Sequence, residues 1–387
     1  MRPPFIIRCS SCGVVTSYSL ADTCRHCGQL LEPHYFRAPF YSGLTMKRFA
    51  GLLPVQPDRW SDLLDRVPQT PIIRTNYRDA ALFLKDETQL TTGSTKDRMA
   101  VCALSRLLSH SVKEFVVSST GNSSSAFIYY SGLLQGQVKC HVFAAATALH
   151  RIRYSNPHST VHAVDGDFVE AGTIGKKFAL ENGLHWEGGF FNFARREGLK
   201  TAYLEAFEQM DYNVDVIIQT VSSGMGILGG YKGFRELIRF GLMNKHPRFV
   251  CIQQDTCMPM VRAYNNGLRA MRGDLIVRNP TGLAEAVLRG DPSGSYPHIC
   301  RMVNETGGKL AAVSQESLVV ARKELLSMGI NACYASGASF SASRHLRDSG
   351  FIRSRDRVLV MLTGAQPERT DQLEDTQRRA LAGTTTA

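Results

Sequence analysis

The chain has 387 residues, of which 43% are hydrophobic and 20% are charged, and these proportions are ordinary for a globular protein with a buried core. The 45 lysines and arginines exceed the 34 acidic residues, for a formal net charge of +11, but they are scattered and form no basic-aromatic patch. No apolar stretch resembles a secretory signal or reaches membrane-spanning length, so we predict a cytoplasmic protein that binds neither nucleic acid nor membranes.

Four of the ten cysteines lie in two pairs near the N-terminus. Cys9 and Cys12 form one Cys-x-x-Cys-Gly sequence, and Cys24 and Cys27 form a second after eleven intervening residues. Two thiolates on each of two tight turns suit tetrahedral zinc, and four ligands leave no open position for catalysis. The alternative is a pair of disulfides, which a reducing compartment disfavours. The spacing predicts a structural Zn²⁺ ribbon at residues 1–40.

A proline-rich segment follows, with one short helix expected near residues 60–67, and then strands alternate with helices. We expect strands at 81–87, 114–118, 138–144, 160–164, 214–220, 248–253 and 357–362. We expect helices at 99–108, 123–134, 170–182, 199–209, 227–240 and 314–328. Such alternation predicts an α/β protein with a mainly parallel sheet, because strand–helix–strand crossovers join parallel neighbours.

Lys96 stands in the loop Thr92-Gly93-Ser94-Thr95-Lys96-Asp97-Arg98, among small hydroxyl residues. A lysine packed into such a site can lose its proton and form a Schiff base with an aldehyde. Taken alone, the heptapeptide fits a solvated lysine in a polar loop better than a cofactor lysine, and two later loops change that balance.

Two later loops lie between a predicted strand and a predicted helix. Residues 222–227, Ser-Ser-Gly-Met-Gly-Ile, present backbone N–H groups at a helix N-terminus, which suits a phosphate. They lack the spacing of dinucleotide loops and the Gly-Lys-Ser/Thr ending of nucleotide triphosphate loops. Residues 118–123, Ser-Ser-Thr-Gly-Asn-Ser, offer hydroxyls and an amide to a ligand, or simply cap the next helix.

Together these loops resemble the motifs of the fold-type II pyridoxal-phosphate enzymes, and within them those of the threonine synthases. The lysine loop is similar to their Gly-Ser-x-Lys-Asp-Arg, and residues 119–122 are similar to their Ser-Thr-Gly-Asn. Residues 192–201 are similar to Asn-Pro-x-Arg-x-Glu-Gly-x-Lys-Thr. The resemblance implies a tryptophan synthase β-like fold after the ribbon. It implies a large domain at 41–95 and 190–365, a small domain at 96–189 and a flexible tail at 366–387.

The resemblance also implies the cofactor, pyridoxal 5′-phosphate, and the residues that hold it. Lys96 is expected to form the Schiff base and to act as the catalytic acid and base. Asn122 is expected beside the pyridine ring, and Thr363 at the ring nitrogen, where a neutral group favours elimination and replacement over transamination. The expected phosphate ligands are Ser222, Ser223, Gly224, Met225, Gly226 and Ile227. The expected substrate contacts are Ser119, Thr120, Ser123, Asn192 and Arg195.

The implied activity is elimination or replacement on an O-phosphorylated amino acid, as in threonine synthases, which use O-phosphohomoserine and water, and a homodimer is implied as well. Four departures from the family pattern keep the substrate open. They are Ala365-Gln366-Pro367 after the last strand, Phe193 in place of proline, residues 334–339 in place of Glu-Pro-Ala-x-Ala-Ala, and an atypical basic turn at residues 150–153. One alternative is therefore β-replacement on O-phosphoserine, as in cysteate synthases. A zinc-ribbon nucleic-acid-binding protein is the alternative from another class.

Overall fold

The computed structural model describes residues 5–36, 42–55, 62–119 and 121–367, and divides the chain into two compact units. The first unit takes the described residues of Met1–Pro68 and Lys96–Gly198, with Pro367, and the second takes Gln69–Thr95 and Leu199–Gln366. The sequence assigned residues 42–68 and 190–198 to the large domain, whereas here they belong with the first unit. The domain limits themselves stay a prediction, and the tail after residue 367 lies outside the described residues.

The N-terminal cysteines lie on a small antiparallel sheet in the first unit. Its strands are β1 (Phe5–Cys9), β2 (Val15–Thr16) and β3 (Leu31–Tyr35), in the order β2-β1-β3. Alternate residues of β1 and β3 are buried, as the two-residue period of a strand requires. Arg196 donates to the Leu31 carbonyl oxygen at 3.0 Å, and this bond joins the ribbon to residues 190–198.

A second sheet of the first unit has four parallel strands in the order β8-β7-β6-β9. These strands are β6 (Glu114–Ser118), β7 (Lys139–Ala145), β8 (Ser159–Val164) and β9 (His185–Trp186). The α-helices are Lys96–Ser109, Asn122–Gly132 and Phe168–Glu181, together with the start of Phe193–Gln209, which continues into the second unit. The 3-10 helices are Met46–Leu52, Ala146–Arg151 and Gly189–Phe191, and residues 62–65 are helical, whereas 60 and 61 of the predicted short helix lie outside the described residues.

The second unit is built on a six-stranded sheet in the order β12-β11-β10-β13-β5-β4. These strands are β4 (Ile72–Tyr77), β5 (Ala80–Asp86), β10 (Val216–Thr220), β11 (Arg248–Gln254), β12 (Lys309–Val313) and β13 (Arg357–Leu362). All neighbours are parallel except β4, which runs antiparallel to β5 at the edge. The α-helices are Met225–Arg239, Pro259–Asn265, Tyr296–Glu305, Gln315–Ser327 and Tyr334–Asp348, and the 3-10 turns are Glu87–Gln89, Gly273–Leu275 and Glu285–Val287.

The predicted α/β class is confirmed, and the seven predicted strands lie within two residues of their expected limits. The prediction missed the three short strands of the ribbon, the strands β4, β9 and β12, and the helices Pro259–Asn265, Tyr296–Glu305 and Tyr334–Asp348. The last of these contains ten buried residues, mostly Ala, Ser and Gly, so that it has no apolar stripe for a periodicity search to find. The prediction was also wrong about the lysine loop, because the helix expected from residue 99 begins at Lys96 itself.

Candidate functional site

The loop before Lys96 is fastened to the end of the central strand β13. The Thr95 N–H donates to the Thr363 carbonyl oxygen at 3.0 Å, and the Ala365 N–H donates to the Gly93 carbonyl oxygen at 2.7 Å. Ser94 and Gly364 form an isolated antiparallel bridge between them. Parallel strands bring their carboxyl ends to one edge of the sheet, and ligands of α/β proteins bind at that edge. Thr363 and the residue before Lys96 are therefore held together at the edge where a ligand is expected.

Lys96 is the first residue of the helix Lys96–Ser109 and is only partly exposed. Burial and, second, the positive charge of Arg195 lower the pKa of Lys96 to about 8. Its position at a helix N-terminus acts in the same direction, because the positive end of the helix dipole disfavours an ammonium group. A lysine with such a pKa has an appreciable neutral fraction near pH 7, and the neutral amine is the nucleophile that attacks an aldehyde.

The loop at residues 119–123 packs against the 3-10 helix Ala146–Arg151. Gly121 has φ 127°, and a Cβ there would lie 2.5 Å from Arg151 Cβ, so only glycine fits. The Ser119 Oγ accepts from the Gly121 N–H at 3.2 Å and from the Ser124 N–H at 3.3 Å. Ser119 therefore caps the helix that follows, which was the alternative reading of this loop.

The other predicted residues of this loop differ in exposure. Asn122 is partly exposed at the first position of the helix Asn122–Gly132. Ser123 is buried, with its Oγ 3.9 Å from Met99 Sδ. Thr120 lies outside the described residues. Their assigned roles beside the ring and the substrate stay predictions.

The loop at residues 222–227 has the geometry of an anion site. Gly224 has φ 77°, and a Cβ there would lie 2.3 Å from Ile299 Cδ1. The 15-residue helix begins at Met225, two residues before its predicted start, and its first intrahelical bond runs from the Leu228 N–H to the Gly224 carbonyl oxygen. Helix geometry leaves the N–H groups of residues 225–227 without intrahelical acceptors, and such groups bind phosphate. The local structure thus fits the phosphate of the predicted cofactor.

Residues 334–339, which depart from the family pattern, hold the ends of β10 and β13. The Thr220 N–H donates to Ser339 Oγ at 2.8 Å. Ser336 Oγ donates to the Gly364 carbonyl oxygen at 2.9 Å and accepts from the Gly364 N–H at 3.1 Å. Sequence analysis missed both serines, because a serine that bonds to a distant strand has the same local sequence as any other helical serine.

Asn192 is fully buried, and its hydrogen-bonding capacity is used within the protein. Its Oδ1 accepts from Arg106 at 2.7 Å and from the Ala194 N–H at 2.9 Å. Its Nδ2 donates to the Glu187 carbonyl oxygen at 3.1 Å and to Glu187 Oε1 at 2.8 Å. The same carboxylate accepts from Arg195 Nε at 2.6 Å and from Arg195 Nη2. The structure therefore places two of the predicted substrate contacts, Asn192 and Arg195, in one buried network. Their contact with substrate stays a prediction.

Glu187 and Arg106 belong to this network and were not predicted. Burial raises the pKa of the Glu187 carboxyl, although the Arg195 charge and hydrogen bond oppose that rise. The only sequence signal for Glu187 was weak: it is the single acidic residue in the mostly aromatic and glycine sequence His-Trp-Glu-Gly-Gly-Phe-Phe.

The four N-terminal cysteines form one cluster, with all their sulfur atoms within 4.8 Å of one another. Cys9 and Cys27 Sγ are 3.4 Å apart, and Cys12 and Cys24 Sγ are 3.7 Å apart. Burial raises the pKa of Cys9, but hydrogen bonds from the Ser11 and Cys12 backbone outweigh burial and lower that pKa to about 6. Four thiols at these distances, one of which ionises readily, fit a tetrahedral metal ion.

Comparison with known proteins found a matching family and similar proteins. The model of a family described as "Pyridoxal-phosphate dependent enzyme" matches residues 63–364. A threonine synthase of Methanosarcina acetivorans is 27% identical over 372 residues, which cover 92% of this chain and 91% of that protein. A cysteate synthase of Methanoregula boonei is 28% identical over 295 residues, which cover 72% of this chain and 68% of that protein.

Solved structures resemble the chain in fold. Maize serine racemase superposes with a TM-score of 0.64 at 16% identity and covers 82% of this chain and 94% of its own. A fungal L-serine ammonia-lyase from Rhizomucor miehei superposes with a TM-score of 0.63 at 17% identity and covers 80% of this chain and 97% of its own. At these identities the likeness shows a shared fold alone. Across the part of the chain that the structure describes, no helix is both long and apolar enough to cross a membrane.

Proposed function

The chain belongs to the pyridoxal-phosphate dependent enzyme family, and we propose that it catalyses elimination or replacement on an O-phosphorylated amino acid, as threonine synthases do. The observation that carries this proposal is Lys96, a partly buried lysine of lowered pKa at a helix N-terminus, directly after the loop fastened to Thr363. The similarity to a threonine synthase over nine-tenths of the chain supports the reaction class.

Bound pyridoxal 5′-phosphate supplies an electron sink for the carbanion that forms when a substrate loses its Cα proton. Lys96 holds the cofactor and, once released, takes the proton from Cα and returns one. The N–H groups of residues 225–227, with Ser222, Ser223 and Gly224, bind the phosphate group. The Thr363 hydroxyl would face the ring nitrogen of the bound cofactor and, being neutral, would leave it unprotonated, which would favour loss of a side-chain leaving group. Asn122 would stand beside the ring, and the Ser119–Ser123 loop would orient the substrate carboxylate.

The choice of substrate follows from the relatives and from the net charge. We propose O-phosphohomoserine, with water as the nucleophile, because two threonine synthases each match 92% of the chain, whereas the cysteate synthase of Methanoregula boonei matches 72%. The basic net charge of +11 favours capture of a phosphorylated substrate. O-phosphoserine is the second candidate, because cysteate synthases are also similar to this chain. We further propose that the four cysteines hold Zn²⁺ and that the enzyme is a homodimer.

Absorbance of the purified protein tests the proposal. We expect a band near ~420 nm from the lysine–cofactor linkage, which Lys96→Ala removes and Lys177→Ala, a change on an exposed helix surface, retains. Phosphate release is then measured with each phosphorylated amino acid in turn. Release from O-phosphohomoserine alone supports threonine synthase activity, and release from O-phosphoserine alone supports the second candidate. A protein that shows no band after incubation with pyridoxal phosphate would refute the enzyme proposal.

A further inference from the structure

Arg106 connects the Lys96 helix to the cysteine ribbon. It lies in the last turn of the helix Lys96–Ser109, and its side chain is only 1% exposed. Its guanidinium donates to Asp22 Oδ1 at 2.7 Å, to the Ser19 carbonyl oxygen at 2.8 Å and to the Ala21 carbonyl oxygen at 2.9 Å. Residues 19–22 lie between the two cysteine pairs, so the cluster that joins those pairs also limits the movement of this segment.

The same guanidinium connects to the environment of Lys96 on its other side. Arg106 Nη1 donates to Asn192 Oδ1 at 2.7 Å, Asn192 Nδ2 donates to Glu187 Oε1 at 2.8 Å, and Glu187 accepts from Arg195 Nε at 2.6 Å. The guanidinium carbon of Arg106 also lies 4.0 Å from the centroid of the Phe193 ring, and Phe193 stands between Asn192 and Arg195 in the sequence. Four side chains on this route, those of Arg106, Asn192, Glu187 and Arg195, are buried, and the Asp22 side chain is 16% exposed. A buried charge that loses its partner is strongly destabilising. We therefore expect the hydrogen bonds that run from Arg106 through Asn192 and Glu187 to Arg195 to hold these side chains in fixed positions.

We propose that Arg106 is a positioning residue for Lys96: it takes its own position from the ribbon segment 19–22 and, through Asn192 and Glu187, holds the Arg195 guanidinium in place. This inference rests on the proposed function where it concerns Lys96 as the cofactor lysine. The ribbon then has a role in catalysis although its cysteines leave no position for substrate.

The consequence of this arrangement is electrostatic. The fixed charge of Arg195 disfavours a cation at Lys96, both the free ammonium and the protonated lysine–cofactor linkage. The other charged groups of the path within this unit are Asp22, Arg106 and Glu187. The buried Cys140 thiol, whose pKa is raised by burial and by Glu187, also lies near it. Loss of Arg106 frees the Arg195 guanidinium to move, which weakens its effect on Lys96 and favours the protonated linkage.

The first test is a pH titration of the visible band of the holoenzyme. Arg195→Gln is expected to move the titration midpoint to higher pH by about 1 unit, and Arg106→Met by a smaller amount in the same direction. Because Arg106 acts through Arg195, adding Arg106→Met to Arg195→Gln should cause little further shift. Arg106→Lys, which keeps the charge without the fork, should recover part of the wild-type midpoint. Lys47→Ala, which breaks an exposed ion pair with Asp65, should leave the midpoint unchanged.

The second test needs no cofactor and therefore separates this inference from the proposed function. Hydrogen exchange of the apo protein is compared between wild type and Arg106→Met, with Asp22→Asn as a milder variant if the first fails to fold. We expect exchange in residues 187–198 to become about tenfold faster, with Lys47→Ala unchanged. Faster exchange confined to residues 5–36, or additive midpoint shifts in the double variant, would overturn the inference. A wild-type protein without a visible band would refute the proposed function, and the exchange result would still decide the role of Arg106.

Discussion

The Thr95 N–H donates a 3.0 Å hydrogen bond to the Thr363 carbonyl oxygen. Thr363 directly follows strand β13 of the six-stranded sheet, so this bond joins the end of β13 to the residue that precedes Lys96. Ala365 and Gly93 form a second bond beside it. Because Thr95 and Ser94 are engaged in this pairing, the helix cannot extend toward them and begins at Lys96. One backbone contact thus sets the position of the proposed cofactor lysine at a helix N-terminus, where the helix dipole disfavours its charge.

Replacing Lys96 should make the apo protein more stable in neutral solution. The pKa of Lys96 is lowered to about 8 in the folded state, so the unfolded chain binds more protons between pH 8 and the ordinary lysine value of 10.5. Wild-type stability therefore contains a penalty below pH 8 that disappears as the pH rises to about 10.5. Lys96→Met should be more stable by about 2 kcal/mol at pH 7, after allowance for partial exposure, and the advantage should vanish near pH 10.5.

Urea unfolding of the two apo proteins across this pH range measures the difference. Lys177→Met changes a lysine whose side chain is 73% exposed and should show no such pH dependence. An advantage of Lys96→Met that stays constant from pH 7 to the ordinary lysine pKa of 10.5 would contradict the lowered pKa.

Gly224→Ala should weaken binding of pyridoxal phosphate. Alanine is strained at φ 77°, and its Cβ would lie 2.3 Å from Cδ1 of the fully buried Ile299, which would displace the first turn of the helix Met225–Arg239. We expect at least about tenfold weaker binding in a fluorescence titration of the apo protein, because the N–H groups of that turn are the proposed phosphate ligands.

Gly241→Ala is the matched control. Gly241 follows the same helix at its other end, has φ 70° and has nothing within 4 Å of an added Cβ. It should lose about 1 kcal/mol of stability from its backbone conformation and keep wild-type affinity for the cofactor. Equal affinity of the Gly224→Ala protein and wild type would argue against the phosphate assignment.

Ser339→Ala should destabilise the second unit. The hydroxyl accepts from the backbone N–H of Thr220 at the end of β10, and both residues are buried, so the substitution leaves a buried donor without its acceptor. The expected loss is about 1–3 kcal/mol in urea unfolding. Ser343→Ala in the same helix removes a buried hydroxyl that donates to the nearby Phe340 carbonyl oxygen, and it should cost less, about 0.5–1 kcal/mol, because a carbonyl inside a helix keeps its backbone N–H donor. Equal effects of the two substitutions would show that the Thr220 contact is unimportant.

Cys24→Ser should remove bound metal. Elemental analysis of the purified wild type is expected to find about one zinc per chain, since four thiols lie within 4.8 Å of one another. Metal binding must displace thiol protons, so affinity should rise with pH, although Cys9, with a pKa of about 6, is already largely ionised at pH 7. Cys333→Ser, at a buried cysteine outside the cluster, should retain the metal. A wild-type protein free of zinc and of other metals after purification without chelators would refute the ribbon site.

The sequence by itself determined those features whose signals are local. Strand and helix periods, the glycines before Met225 and before Asn122, and the Cys-x-x-Cys spacing all lie in neighbouring residues. They led to the α/β class, the candidate cofactor loops and the cysteine cluster. Lys96 was predicted as the cofactor lysine for the same reason, because its motif is continuous.

Only the tertiary structure decided how these parts are held. The start of the Lys96 helix depends on pairing with residues 363–365, and the end of β10 depends on Ser339, which is more than a hundred residues away in the chain. Asn192 was predicted as a substrate contact from its motif, and folding surrounds it with Arg106, Glu187 and the Ala194 N–H, which the sequence did not indicate. The Lys96 helix, Ser339 and Asn192 share one physical reason. Each depends on a hydrogen bond to a residue far away in the chain, and such a bond produces no pattern among neighbouring residues. Its energy depends on which groups the fold buries together.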